Sequence, residues 1–315
     1  PADREPVMDF INGIRMFSKF DFPSDREPFF TRLRKQVRTF FAFMKYGKEF
    51  KRWSDITGEQ FCSRFSDPLL RQAFSEIWVP EFSMVFLFFA FAYINQRNAG
   101  YPVGGSMPMS QALEERYMEL GGELYYNKKV ARIITSGGKA TGIRLVDGTE
   151  VFAGRVVSAA DGHATLYDML DGKYLDPATR EPYEKWPVFP SLLFVSLGVN
   201  RAFEDIPHSI SGLSFPLKEP VMIADKQRER LPVHIYNQDP TLSPEGKTAV
   251  TIMLESDYYY WKKLSEDRSA YVSKKEESAS LIISLLEQRF PGITEQVEVT
   301  DVATPLTFER FTGNW

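Results

Sequence analysis

Hydrophobic positions change their spacing twice along the chain, near residues 100 and 185. Up to about residue 100 the spacing is helical. Phe10, Ile11, Ile14 and Phe17 fall on one face at i, i+1, i+4 and i+7. Pro1-Ala2-Asp3-Arg4-Glu5 reads as a first helical turn, with proline leading and acids near the positive end of the dipole. Asp67-Pro68 opens another helix, whose apolar side carries Leu69, Leu70, Ala73, Phe74 and Ile77. The run Phe82 to Ile94 is almost wholly apolar but shorter than the ~20 residues of a spanning helix. It predicts a buried helix or a cavity wall.

From 101 to 185 the pattern turns to short alternating runs. Gly104-Gly105 precede a helix from Ser106 to Leu120, which Gly121-Gly122 stop. Strands follow at Glu123–Tyr126, Val130–Thr135, Ala140–Val146 and Glu150–Phe152, with turns at Gly137-Gly138 and Asp147-Gly148. Arg155 to Ala160 has the continuous apolar run of a strand buried on both faces, and His163–Leu170 returns to helix. From 186 to 315, strands are expected at Ser191–Val199, Pro232–Asn237, Lys247–Glu255 and Val297–Ala303. One long helix, Ser265–Phe290, presents Leu281, Ile282, Leu285 and Leu286. The fold class is α/β with an α+β mix, in three parts: helical 1–100, helix plus β-meander 101–185, and a mixed sheet 186–315.

Composition sharpens this division. At ~150 residues per domain, 315 residues make about two domains. Of 26 phenylalanines, 18 precede residue 92, and none lies between Phe91 and Phe152. Residues 32–53 combine Arg32, Arg34, Lys35, Arg38, Lys45, Lys48, Lys51 and Arg52, eight cations against the single acid Glu49, with interleaved aromatic side chains. Two readings stay open for this segment: a solvated face above a core stripe, or peripheral contact with an anionic membrane. The net charge of −4 argues against nucleic acid as a partner. The lone Cys62 excludes an intramolecular disulfide and fits a reducing, cytoplasmic setting as a small core residue.

The three histidines, His163, His208 and His234, lack ligand spacing, so no metal site is expected. Neither a GxSxG elbow nor a GxxxxGK[ST] loop occurs. With no acid–base or nucleophilic set legible, the catalytic residues stay unassigned, and an enzyme built on this chain would rely on a cofactor.

One succession is distinctive. Gly121-Gly122-Glu123-Leu124-Tyr125-Tyr126-Asn127-Lys128-Lys129-Val130-Ala131-Arg132-Ile133-Ile134 is followed by Gly142-Ile143-Arg144-Leu145-Val146-Asp147-Gly148 and then Val156-Val157-Ser158-Ala159-Ala160-Asp161. It resembles the middle segment of the FAD-dependent oxidoreductases related to phytoene desaturase and retinol saturase, within the amine-oxidase-like flavoproteins. The resemblance implies FAD as cofactor and an incomplete Rossmann-like FAD-domain segment, with a helical cap and a mixed-sheet substrate domain beside it. It implies that Val130 ends a strand beside the adenine and that Ser158, Ala159, Ala160 and Asp161 finish a strand near the dinucleotide. It also sets Gly104 and Gly105 at a passage between domains. The family's opening GxGxxG and closing glycine-rich segment do not occur in this chain. The chain therefore reads as an internal piece that alone would hold FAD poorly.

The activity so implied is hydride transfer between flavin and an apolar polyene or related lipid. The phenylalanine-rich cap would then line a tunnel or meet lipid. Amine oxidation is an alternative, for which Tyr258-Tyr259-Tyr260-Trp261 is the candidate cage, otherwise strand-end packing. A non-enzymatic lipid-binding or membrane-docking module is the other.

Overall fold

The structure, a computed structural model, describes residues 2–20, 27–77, 79–186, 188–210 and 212–314. Two compact units emerge, Pro1–Pro102 and Val103–Trp315.

The first unit is helical: α1 (Arg4–Phe17), α2 (Phe29–Ser54), α3 (Gly58–Cys62), α4 (Pro68–Ser75) and α5 (Met84–Asn95). The expected start of the first helix is partly corrected. Pro1 lies outside the described residues, and Asp3 precedes α1 without capping it. The Asp3 carboxylate instead accepts the Ser66 and Asp67 N–H groups at 2.6 and 2.9 Å. These bonds hold its pKa below the usual carboxylate value. Asp67 caps α4 as its Asp-Pro sequence predicts, accepting the Leu69 and Leu70 N–H groups at 2.8 and 3.1 Å. That helix stops at Ser75, so Ile77 lies beyond it, and only Leu70 and Phe74 of its expected apolar side are partly buried.

The core of this unit is made of rings. Phe10, Phe17, Phe61, Phe65 and Phe88 are buried with Trp53 and Met84. Phe65 stacks on Phe74 at 4.5 Å, and Trp53 meets Phe88 edge-on at 4.9 Å. Gly13 makes the close approach possible, because a Cβ there would lie 2.4 Å from Cζ of Phe88. The expectation that the buried phenylalanines line a tunnel is therefore corrected: ring packs on ring. The cavity beside Phe61 and Phe74 measures about 10 Å³, room for about one water. Cys62 is a buried core thiol whose pKa burial raises.

In the second unit, α6 (Ser106–Glu119) is framed by Gly105 at φ +77° and Gly121 at φ +85°. A three-stranded antiparallel meander follows: β1 (Val130–Ser136), β2 (Lys139–Leu145) and β3 (Glu150–Phe152). Its turns are the expected ones, with Gly137, Gly138 and Gly148 all at positive φ. Glu123–Tyr126 and Arg155–Ala160, both expected as strands, are irregular. A strand exists only through its ladder, and neither segment runs beside a described partner. Arg155–Ala160 is also mostly exposed where burial was expected, Val157 by 90%. The expected helix after it forms as a π-helix, Ala164–Met169, and α7 (Pro177–Lys185) follows.

The second sheet has five strands in the order β5-β6-β7-β4-β8. These are β4 (Leu192–Val199), β5 (Gly212–Ile223), β6 (Lys226–Ile235), β7 (Thr248–Glu255) and β8 (Val297–Ala303). Every pairing is antiparallel, so the sheet is not mixed. Alternation turns Leu193, Val195, Leu197, Leu231, Val233 and Ile235 inward. The long helix α9 (Arg268–Arg289) covers them with Ile282, Leu285 and Leu286. Tyr258–Trp261, expected as strand-end packing or a cage, opens α8 (Tyr258–Leu264), because Asp257 caps it through the Tyr260 N–H at 2.7 Å. Buried Trp261 donates its indole N–H to Ser256 Oγ at 2.7 Å, and Ser256 Oγ in turn hydrogen-bonds the Asp225 carboxylate. α10 (Ile293–Gln296) and α11 (Pro305–Thr312) flank β8.

Candidate functional site

The meander forms one wall of a cavity of about 770 Å³. The irregular segment 155–161 and Ala164, Asp168 and Met169 of the π-helix also line it. Val130 begins β1, instead of ending a strand, and pairs with Leu145; the register slips between Val130 and Arg132. Ile133 of β1 and Leu145 of β2 are buried. The last ladder bond runs from the Ala153 N–H to the Thr141 carbonyl at 3.0 Å. Beyond it, the main chain from Arg155 to Ala160 makes no hydrogen bond to the main chain of any described residue.

Side chains hold that segment in place. Ser158 Oγ and Thr165 Oγ1 are 2.8 Å apart. Asp161 Oδ1 accepts the Ala164 N–H at 2.8 Å, so this carboxylate caps the helical turn. Arg132 pairs with Asp171 beyond the π-helix, and Lys173 reaches Asp171 at 3.1 Å. His163 stacks on Tyr167 at 4.3 Å and meets Tyr183 edge-on, a packing role.

Val130, Ser158, Ala159, Ala160 and Asp161 all border this cavity, although 28 positions separate Val130 from Ser158. Gly104 and Gly105 do not line it. They have a local use: both take positive φ on entering α6, and the Gly104 N–H donates to Asp239 Oδ2 at 2.8 Å. The Thr241 hydroxyl, then the Gly104 and Thr241 N–H groups, lower the Asp239 pKa by donating to its carboxylate. Sequence reasoning missed Arg155 and Asp168 on the cavity wall, which Thr312 and Gly313 also border. For Gly313 a signal existed, a glycine closing a helix opened by Thr304-Pro305.

The lining suits a flat heterocycle joined to an anion. Ala131, Ala153, Ala159, Ala160 and Gly313 extend no further than Cβ, leaving room beside a ring. The unpaired main chain of 156–160 offers N–H and C=O groups to a ring edge. Lys129 and Arg155 supply positive charge for a phosphate group. Among the described residues, no group of three or more His, Cys, Asp or Glu side chains could hold a metal ion.

The family model described as flavin containing amine oxidoreductase matches residues 36–304. The chain belongs to that family. Its members are flavin oxidoreductases, so the family implies a flavin cofactor. The chain is 33% identical over 214 residues to a chloroplastic prolycopene isomerase of Arabidopsis thaliana, covering 67% of this chain and 35% of that protein. It is 29% identical over 220 residues to a neurosporene-forming phytoene desaturase of Rhodobacter capsulatus, covering 66% and 41%. It thus spans well under half the length of these relatives. A solved oxidoreductase from Methanosarcina mazei superposes with a TM-score of 0.57 at 20% identity, covering 85% of this chain and 61% of that one. At that identity the likeness concerns the fold of this flavin oxidoreductase family member.

A second cavity, about 680 Å³, is lined by Trp186, Phe189, Tyr258, Phe308, Glu309 and Asn314 among others. α11 and the residues after it contribute to both cavities, with Thr312 and Gly313 on the first and Phe308 and Asn314 on the second. Tyr258 donates its hydroxyl to Glu309 Oε2 at 3.0 Å. Burial, then that carboxylate, raises the phenol pKa and keeps it neutral.

Proposed function

We propose that the protein is an FAD-dependent oxidoreductase acting on a polyene lipid, with the FAD adenosine in the cavity between the meander and segment 155–161. The observation that carries this reading is the convergence of Val130 and Ser158–Asp161 on one cavity. The relatives' names, prolycopene isomerase and phytoene desaturase, support a polyene as substrate. Val130 packs on the ring and reads its edge through its own backbone, while Arg155 holds phosphate charge. The apolar substrate takes the aromatic second cavity, which shares α11 with the first. There the ring side chains orient the chain and exclude water. A bound flavin supplies two-electron oxidation or reduction at a carbon–carbon bond.

Desaturation and cis–trans isomerisation both fit this arrangement. Incubation of the FAD-reconstituted protein with phytoene and with poly-cis lycopene, followed by chromatography, separates them. Desaturation shifts absorbance to longer wavelength and requires an added electron acceptor; isomerisation leaves the mass unchanged. One observation favours a second reading: Glu309 beside Tyr258 and Trp186 sets a carboxylate among aromatic rings, as a substrate ammonium would require. Peroxide formed with amines, with neither polyene converted, would replace the polyene reading with this one.

A further inference from the structure

Helix α2 has one buried face and one exposed apolar face. Its inner face is settled by buried Thr39, Ala42 and Trp53. On the opposite side Phe30, Leu33, Val37, Phe40, Phe41 and Met44 are all exposed, Phe30 by 81% and Phe41 by 61%. Their positions keep them on one strip along four turns. Arg34, Arg38 and Lys45 line one flank of that strip at i, i+4 and i+11, and Lys48 follows on the strip's own line toward the C-terminal end. Among the described residues, Arg34 and Arg38 have no carboxylate partner.

We infer that this face of α2 docks on an anionic lipid surface, lying in the plane of the membrane interface. Charge complementarity selects that occupant. The seam Phe30, Leu33, Val37, Phe40, Met44 has coiled-coil spacing, so a second copy is the rival occupant. Its flanks oppose such pairing. Laid antiparallel, two copies would set Arg34 against Lys48; laid parallel, Arg34 and Lys48 would face only Phe29 and Phe43. Phosphate headgroups supply the missing negative charge, and the rings seat at the boundary of the acyl chains. No helix among the described residues is long and apolar enough to cross a membrane, so α2 would lie on the surface. The inference is independent of the flavin reading.

Co-sedimentation with phosphatidylcholine vesicles, with and without phosphatidylglycerol, tests it. The protein is expected to pellet with the anionic vesicles and to be released by salt. That salt titration needs no variant. Arg34→Glu, Arg38→Glu and Lys45→Glu together should weaken partitioning on the order of 100-fold or more. Phe40→Ser with Phe41→Ser should weaken it on the order of tenfold with every cation in place. An unchanged unfolding transition shows that these exposed substitutions leave the fold intact. Binding indifferent to phosphatidylglycerol and to the triple variant overturns the proposal. So does a dimer in sedimentation equilibrium that Phe40→Ser/Phe41→Ser dissociates while no vesicles are bound.

Discussion

Two parts of the second unit use apolar residues in opposite ways. In the five-stranded sheet, inward side chains of β4, β6 and β7 meet α9 and Trp261, and their exposure falls to almost nothing. In the meander and segment 155–161, Val151 and Val157 stay open beside a cavity. The sheet completes its own core. The meander region has a backbone held by turns, side-chain bonds and the Arg132–Asp171 pair, with its apolar surface left for something else to cover. A region optimised for stability spends its apolar surface on itself; a region that receives a ligand keeps some back.

That contrast can be broken at several points. Trp261→Ala removes the largest buried side chain over the sheet and should cost about 3–5 kcal/mol in denaturant unfolding. Ser256→Ala leaves the buried Trp261 N–H without its acceptor and should cost about 1–3 kcal/mol. Ala160→Trp, on the cavity wall, should change stability by only about 0.5 kcal/mol. It should nevertheless weaken FAD binding on the order of tenfold or more in a fluorescence titration, because it fills space meant for the ring. An equal stability loss at Ala160 and Trp261 would erase the distinction between the two regions.

The smallest expected effect is a pH dependence at the end of α9. Glu287 accepts the Gly292 N–H at 2.6 Å and bonds from the Thr294 N–H and hydroxyl, which lower its pKa from 4.5. The folded form therefore releases this proton more readily than the unfolded chain. The resulting stability is full above pH 4.5 and fades as the pH falls through the lowered value. The melting-temperature difference between the protein and Glu287→Gln should narrow as pH drops below 4.5.

Legibility followed the range of the forces involved. The meander was readable because Gly137-Gly138 and Asp147-Gly148 specify their turns locally. β5 was not, because Pro216, Lys218, Glu219 and Pro220 interrupt its alternation, and its register slips there against β6. α8 hid behind the β-like composition of Tyr258–Trp261, although the Asp257 cap was a local sign of helix. Arg155–Ala160 has the composition of a strand, but composition cannot supply a ladder partner. The nearness of Val130 to Ser158–Asp161 came from the family resemblance; spacing along the chain would not have joined them. Gly313 is legible as the residue that closes α11, but only the tertiary fold brings it and Thr312 to the cavity.

Amide hydrogen exchange with and without FAD tests the central claim most directly. FAD at saturating excess, needed because the chain lacks the GxGxxG segment, should raise protection at Lys129–Ile133, Val156–Asp161 and Thr312–Gly313, while Thr248–Glu255 in the five-stranded sheet is already protected and stays so. Protection that leaves the cavity segments unchanged, or that rises only in the sheet, would contradict the account.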